Sequence, residues 1–392
     1  MRIGLLGYGV VGKGVCQIID EMNQAGDWML EIEKIFVRPE REKIDPRMTD
    51  DINDILYNSK IDFVVECMGG IHPAYDYCMD ALNAGKEVVT SNKAMMATHY
   101  KELLYCAREK GRHILFEASV GGGILWMHNI GIAKRVDEIL RFQGILNGTT
   151  NYILDNMFTC SKDFDEVLKE AQELGYAERD PSSDIDGEDV RYKCCLSANA
   201  IWNTSVDLQG IDTLGIRYIT KKDIEFCKAN KMVCRLIGTG EKTGKGYSIY
   251  VQPEFLSEND LMAHVSSNYN CGSIYGETCG HSYFMGQGAG MLPTANAVVQ
   301  DLMSLVSKCQ SRLLSNNVKT ETPEDGKVCN DSVEKKYYVR GNNVPQELKE
   351  YAEKVIDDTT VITKTITVTK MMELYGNLTD KKVFVAGVSA YD

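Results

Sequence analysis

Short apolar runs alternate with helix-periodic stretches through the first 125 residues, the pattern of βα units laid into a parallel sheet. The runs predicted as strands are Ile3–Leu6, Glu31–Val37, Phe63–Cys67, Glu87–Thr90 and His113–Phe116. Helical spacing covers Val11–Met22, Pro73–Ala84 and Lys101–Lys110 between them. Near residues 135–150 the alternation gives way to a longer strand, Glu138–Leu146, and a polar turn, Asn147-Gly148-Thr149-Thr150. The texture beyond is α+β, with helices expected at 163–174 and 187–202 and strands near 232–251. Gly286-Gln287-Gly288-Ala289-Gly290 then leads through Pro293 into a helical run, Thr294–Val306. Ser315–Lys336 reads as a polar linker, and from Tyr337 a small β-α-β-β tail closes the chain.

Composition narrows the class. With 392 residues, 44% apolar and 25% charged, the chain can bury two or three cores and is neither disordered nor fibrous. No apolar run approaches the ~18 residues of a membrane span, and the chain opens directly into a strand, so no signal peptide is expected. The net charge is −13, which speaks against a nucleic-acid or anionic-membrane surface. Thirteen cysteines are scattered through predicted core elements without any CxxC, which suits reduced thiols and a cytoplasmic location. Cys194 and Cys195 are adjacent, a pairing met more often in a core than in a redox switch. The six histidines form no HxxxH or HxH, so zinc is not indicated.

The first chemistry lies at Gly7-Tyr8-Gly9-Val10-Val11-Gly12, a GxGxxG between a strand and a helix. Gly7 permits the turn, Gly9 admits a pyrophosphate to the main chain, and Gly12 lets helix and strand close up. The amides at Val10 and Val11, with the helix dipole, then hold the anion. At the second strand's end stands Arg38, with Arg41 and Lys43 following, where an NAD site usually has an acid. A guanidinium suits a 2′-phosphate, so NADP is favoured, with NAD left open. The third strand closes on Glu66-Cys67-Met68-Gly69-Gly70, giving a cofactor backbone access at Met68 and Gly69. The fourth closes on Ser91-Asn92-Lys93, placing a lysine where the nicotinamide end would lie.

The densest chemistry is Leu174–Lys193, where a loop flanked by Pro181 and Gly187 feeds a helix. Asp189 and Lys193 are i and i+4, hence on one face. A dipole-favoured acid and an exposed ion-pair partner would explain them equally well from spacing alone. The acids Glu178, Asp180, Asp184, Asp186, Glu188 and Asp189 are too dense to share one pocket, so most must be solvated.

Taken together, Gly7–Gly12, Glu66–Gly70, Ser91–Lys93, Leu146-Asn147-Gly148-Thr149-Thr150-Asn151-Tyr152, the Leu174–Lys193 block and Gly288-Ala289-Gly290 resemble homoserine dehydrogenase in order and spacing, over roughly residues 1–310. That family reduces L-aspartate 4-semialdehyde to L-homoserine with NAD(P)H, on the route to threonine and methionine. The resemblance implies that Lys193 is the catalytic lysine and Asp189 its partner. It implies substrate contacts from Glu178, Lys93, Thr149 and Asp184, with Lys93 also touching the cofactor alongside Gly288 and Gly290. It further implies an alkali-cation site, sodium for example, on main-chain oxygens of Glu117, Val120, Gly122 and Ile124. A homodimer paired through the middle domain's sheet is implied as well.

The expected fold is α/β: a Rossmann-type parallel-sheet nucleotide domain, an α+β catalytic and dimerisation domain, and a small C-terminal α+β tail. The expected boundaries are 1–130 plus about 290–314 for the first, 131–289 for the second, 315–336 for a linker and 337–392 for the tail. Many family members end in a regulatory ACT domain of βαββαβ order. The short tail here leaves open a reduced ACT-like domain, and threonine feedback is not the expectation. Two alternatives carry different sequence marks: another NAD(P)-dependent reductase of a small carbonyl compound would lack the Asn-Gly-Thr-Thr-Asn run. A non-catalytic nucleotide-sensing Rossmann protein would have lost Asp189 or Lys193.

Overall fold

The structure, a computed structural model, describes residues 1–26, 29–244, 246–307, 326–342, 344, 346–378 and 382–388. The chain divides into two compact units, one of residues 1–139, 196–205 and 287–322, the other of 140–195, 206–286 and 323–392.

In the first unit, six parallel strands lie in the order Met48–Thr49, Glu31–Phe36, Arg2–Leu6, Phe63–Glu66, Glu87–Thr90, Ile114–Leu115. Ile3, Leu5, Val64, Val65, Val88 and Val89 are all fully buried, because helices cover both faces of a parallel sheet and leave no polar side to alternate with. Strand order reverses between Arg2–Leu6 and Phe63–Glu66, which opens a crevice at their carboxyl ends where Gly7 and Cys67 emerge. The helix Val10–Gln24 follows Gly7 and packs on Met291–Val306, so the chain returns late to this unit. Gly14 makes that crossing tight: a Cβ there would lie 2.8 Å from the Ala295 methyl and 2.9 Å from the Met291 oxygen. The returning helix begins at Met291, three residues before its predicted start. Pro293 sits in its first turn, where a missing N–H costs nothing.

The second unit is built on an eleven-stranded sheet. Its main path runs Gly280–Gln287, Tyr269–Gly276, Ile139–Ile145, Met232–Thr243, Gly246–Ser257, Phe384–Val388, Glu334–Arg340, Thr360–Thr363, Ala352–Asp357. The centre is a long antiparallel hairpin, Met232–Thr243 against Gly246–Ser257, in unbroken register from Thr243↔Gly246 to Met232↔Ser257.

Several expectations are corrected here. The tail's strands extend the sheet of the second unit: Phe384–Val388 pairs in parallel with Gly246–Ser257, Glu254 opposite Gly387 and Phe255 opposite Val388. The last strand is buried along its whole length, so it requires partners on both edges and finds one in the hairpin. The tail's strand starts at Glu334, and its elements run strand, helix, strand, strand, short strand, helix, strand. Of the predicted linker 315–336, residues 315–325 lie outside the described residues. Asn330 within the rest is buried, bonded to Ser248 Oγ, the Ile249 amide and Asp212. The polar turn at Asn147–Thr150 is instead the start of the helix Gly148–Thr159, whose N-cap Asn147 accepts from the Thr150 amide. Gly and Thr are weak helix formers and read as a turn, but the cap and burial of Thr150, Ile153 and Leu154 carry the helix. Finally, the second unit begins at Leu140 and cedes 196–205 to the first, a division that falls inside the helix Glu188–Trp202.

Candidate active site

In the first unit the glycines form a cradle. Gly7 has φ +96°, and a Cβ on it would meet the Cys67 oxygen at 2.8 Å. A Cβ on Gly12 would lie 2.2 Å from the Gly7 oxygen, so turn and helix are in contact. Gly9 has open space around it and is the helix N-cap, bringing no side chain over the amides of the first turn that Val10 and Val11 begin. A cavity of about 280 Å³ opens here, lined by Gly7, Tyr8, Gly9, Phe36, Val37, Arg38, Glu40, Arg41, Cys67 and Met68. Arg41 lies over the Tyr8 ring at 5.7 Å, whereas Lys43 is paired with Asp50 at 2.6 Å and does not line the cavity. An open, glycine-walled cavity with two guanidiniums fits a dinucleotide and its phosphates.

Glu66, quoted in the sequence motif but given no role there, organises the neighbouring loop. Its two carboxylate oxygens accept from the Met68 amide at 2.7 Å and from Thr90 Oγ1 at 2.5 Å. Burial pushes its carboxyl above the usual range, and those bonds pull it back. An acid inside a wholly apolar strand was the available signal. Gly69 and Gly70, both at positive φ, continue the loop, and Asn92 Nδ2 donates to the Gly70 oxygen at 2.6 Å. Asn92 also caps the helix Lys93–Thr98, which places Lys93 at that helix's first position.

Glu117, Val120, Gly122 and Ile124 lie on two 3-10 turns, Glu117–Ser119 and Gly122–Ile124. Gly121, Gly122 and Leu125 take left-handed backbone, which winds the segment tightly and turns successive carbonyls. Gly288 is packed here, its oxygen 2.4 Å from where a Gly122 Cβ would stand, and Gly290 follows at φ +130°. The Glu117 carboxylate accepts from the Met127 and His128 amides at 3.1 and 2.6 Å, capping the helix Trp126–Ala133 from a distance in sequence. His128 Nδ1 lies 2.7 Å from Glu117, and Asp301 accepts from the Glu117 amide at 2.8 Å. Burial first, then the charge of Glu117, pushes the Asp301 carboxyl up to about 8, with His128 pulling it down. Sequence spacing could not show this cluster, because Asp301 comes from the returning helix.

In the second unit the i, i+4 pair is buried. Lys193 Nζ donates to Asp189 Oδ2 at 2.7 Å and to the Leu146 oxygen at 2.5 Å. Asn147 Nδ2 donates both to Asp189 at 2.8 Å and to Asp184 at 2.7 Å, joining the two acids. The side chains of Lys193 and Asp189 are only 11% and 4% exposed, so this is not a solvated surface ion pair. Asn147 was missed as a site residue, although it opens the Asn-Gly-Thr-Thr-Asn run. Thr149 Oγ1 donates to the Tyr176 oxygen at 2.6 Å, tying down the strand of loop that leads to Glu178. Glu178 itself is exposed, with its main-chain oxygen held by Gln172. The surplus acids are dispersed: Glu188 pairs with Arg191 and Asp186 with Arg217. Cys194 and Cys195 are fully buried, and burial pushes the Cys194 thiol up, away from reactivity.

A family profile described as "Homoserine dehydrogenase, NAD binding domain" matches residues 7–117, and one described as "Homoserine dehydrogenase" matches residues 126–303. The homoserine dehydrogenase of Bacillus subtilis is 38% identical over 327 residues, which is 81% of this chain and 75% of the relative. The chain belongs to the homoserine dehydrogenase family. That of Helicobacter pylori is 35% identical over 347 residues, 87% of this chain and 81% of its own. Among solved structures, a homoserine dehydrogenase from Thiobacillus denitrificans superposes with a TM-score of 0.86 at 26% identity, covering 99% of this chain and 98% of that one. One from Staphylococcus aureus gives 0.76 at 30% identity, covering 100% and 99%.

As a homoserine dehydrogenase the chain is an NAD(P)-dependent oxidoreductase, reducing L-aspartate 4-semialdehyde to L-homoserine in amino-acid biosynthesis. A hyperthermophilic archaeal homoserine dehydrogenase mutant in complex with NADPH matches at a TM-score of 0.67 and 25% identity, covering 78% of this chain and 98% of that one. Among the described residues, no helix is long and apolar enough to cross a membrane.

Proposed function

We propose that Lys193 is the proton donor and oxyanion stabiliser of this reduction and that Asp189 keeps it charged and aimed. The observation that carries the assignment is the buried Lys193–Asp189 pair, joined through Asn147 to Asp184. When bound, the nicotinamide supplies the hydride. Negative charge then grows on the aldehyde oxygen of the substrate, where a desolvated ammonium stabilises it and delivers the proton. Asp184 and Glu178 suit the substrate's ammonium group. Thr149, by holding the Tyr176 carbonyl, fixes the loop from which Glu178 rises. NADPH oxidation with aspartate 4-semialdehyde, by wild type and Lys193→Ala, tests the reading.

The cofactor reading is NADP, with Arg38 and Arg41 on the 2′-phosphate, the pyrophosphate over Gly7–Gly12, and Met68, Gly69 and Lys93 further along it. A charge-assisted bond is worth ~1.5–3 kcal/mol, so Arg38→Ala is expected to raise KM for NADPH about tenfold or more and leave KM for NADH nearly unchanged. Equal effects on the two cofactors would remove Arg38 from 2′-phosphate recognition.

The carbonyls of Glu117, Val120, Gly122 and Ile124 suit a hard alkali cation such as sodium, since the donors are main-chain oxygens. Turnover in sodium or potassium chloride is expected to exceed that in a bulky organic ammonium salt at equal ionic strength, and identical rates would sink the site. The same family reading makes the enzyme a cytoplasmic homodimer paired through the second unit's sheet, with no nucleic-acid or membrane partner. Its mass by sedimentation equilibrium checks the pairing.

A further inference from the structure

The one-turn helix Ser182–Ile185 carries Asp184, and Asp186 follows as its C-cap. Arg217 grips both ends of that turn. Its Nε and Nη2 donate to the two Asp186 carboxylate oxygens at 2.7 and 2.6 Å, and Nη2 also reaches Ser182 Oγ at 3.1 Å. A planar guanidinium fork fixes direction as well as distance, which a single ammonium does not. The residues just before Arg217 press on the same turn. The Ile216 amide donates to the Ile185 oxygen at 2.7 Å, and a Cβ on Gly215 would lie 2.1 Å from that oxygen. Only glycine allows so close an approach of two backbones.

The other end of this strap is anchored in the C-terminal tail. Leu214 is buried in one apolar cluster with Tyr337, Val339, Val361, Met371 and Val385. A small cavity of about 150 Å³ beside Asp186 and Arg217 is walled by Tyr375 and Phe384 of the tail. Continuous contact therefore runs from the tail's core through Leu214, Gly215 and Arg217 to the turn that holds Asp184, and through Asn147 to Asp189. We propose that Arg217 is a positioning residue for the acids of the reaction and that the tail sets its place through Leu214. This rests on the assignment of Lys193, Asp189 and Asp184 to the chemistry.

The test uses the whole chain and compares with wild type Arg217→Ala, Asp186→Asn, their double variant and Leu214→Ala, with Arg217→Lys, Lys222→Ala and Lys193→Ala as controls. Arg217→Ala is expected to raise KM for aspartate 4-semialdehyde about tenfold, with kcat falling less and cofactor affinity unchanged. The double variant should be no worse than either single one, because both remove the same clamp. Arg217→Lys, which retains charge without the fork, should recover only part of the loss. Leu214→Ala should raise KM in the same sense, and Tm of each variant separates this from unfolding. Lys222→Ala, which removes the exposed contacts of Lys222 with Asp357 and Thr359 and leaves Arg217, Gly215 and Leu214 in place, should behave as wild type. A wild-type KM in Arg217→Ala, or a loss that follows Tm and cofactor affinity alike, overturns the proposal. Should Leu214→Ala fail to fold, Leu214→Val carries the tail arm, and a wild-type KM there removes the tail from it. Lys193→Ala is assayed alongside: if it still turns over, the underlying assignment falls, whereas a silent Lys193→Ala with an unaffected Arg217→Ala sinks only the clamp.

Discussion

Lys193→Ala should lower kcat by about 10²–10⁴-fold, the range spanned by losing a general acid and an oxyanion-stabilising charge. NADPH affinity should stay within about twofold, because the two functions rest on different groups. Asp189 and Leu146 already fix the ammonium in place, so its removal takes away a preorganised charge that water would have to reorient to replace. The deletion also leaves the Asp189 carboxylate buried beside Asn147 without its cation. A clear fall in Tm therefore accompanies the kinetic loss, since removing one partner of a buried ion pair leaves the other charge uncompensated. Rapid-mixing measurement of NADPH oxidation, with binding followed by cofactor fluorescence, separates the effects. Parallel loss of turnover and cofactor binding would mean that Lys193 is structural.

Gly12→Val and Gly9→Ala should both weaken NADPH binding, for different reasons that Tm distinguishes. At Gly12 a Cβ would stand 2.2 Å from the Gly7 oxygen, a backbone atom that cannot swing aside. The helix Val10–Gln24 must then part from the turn, at the ~1–3 kcal/mol typical of overpacking. Cofactor affinity should fall about tenfold to a hundredfold together with Tm, since ~1.4 kcal/mol is a factor of ten. At Gly9 nothing lies within 4 Å of the added methyl, so Tm should hold while the methyl blocks the pyrophosphate's approach to the main chain. Titration by NADPH fluorescence beside differential scanning calorimetry reads both. Unchanged NADPH affinity in Gly9→Ala would show that the phosphates do not pass over the Gly9 main chain.

What could be read along the chain is what depends on neighbours in sequence. The strand-turn-helix at Gly7–Gly12, the strand ends at Met68 and Lys93, and the one-face spacing of Asp189 and Lys193 all involve residues a few positions apart. Periodicity also delivered the parallel sheet, because strands buried on both faces are continuously apolar. It failed at Asn147–Thr150, where propensity favours a turn and only the cap and the packed face make a helix. It failed again in the tail, where nothing local says that Phe384–Val388 will lie beside a strand ending at Ser257.

The candidate site divides the same way. Residue types and spacing mark Lys193 and Asp189 as an acid–base pair, but equally as a surface ion pair, and only burial separates the two. Asn147 linking Asp184 to Asp189, Thr90 donating to Glu66 and Arg217 clasping Asp186 are pairings across 24 to 42 positions. Asp301 meeting Glu117 spans 184. Sequence by itself determined most of the local elements and which groups are candidates for the chemistry, since backbone preference and helical spacing act over a turn or two. Tertiary structure alone decided which of those groups are stripped of water and which partner holds each one, because burial and long-range hydrogen bonds arise only when distant segments pack.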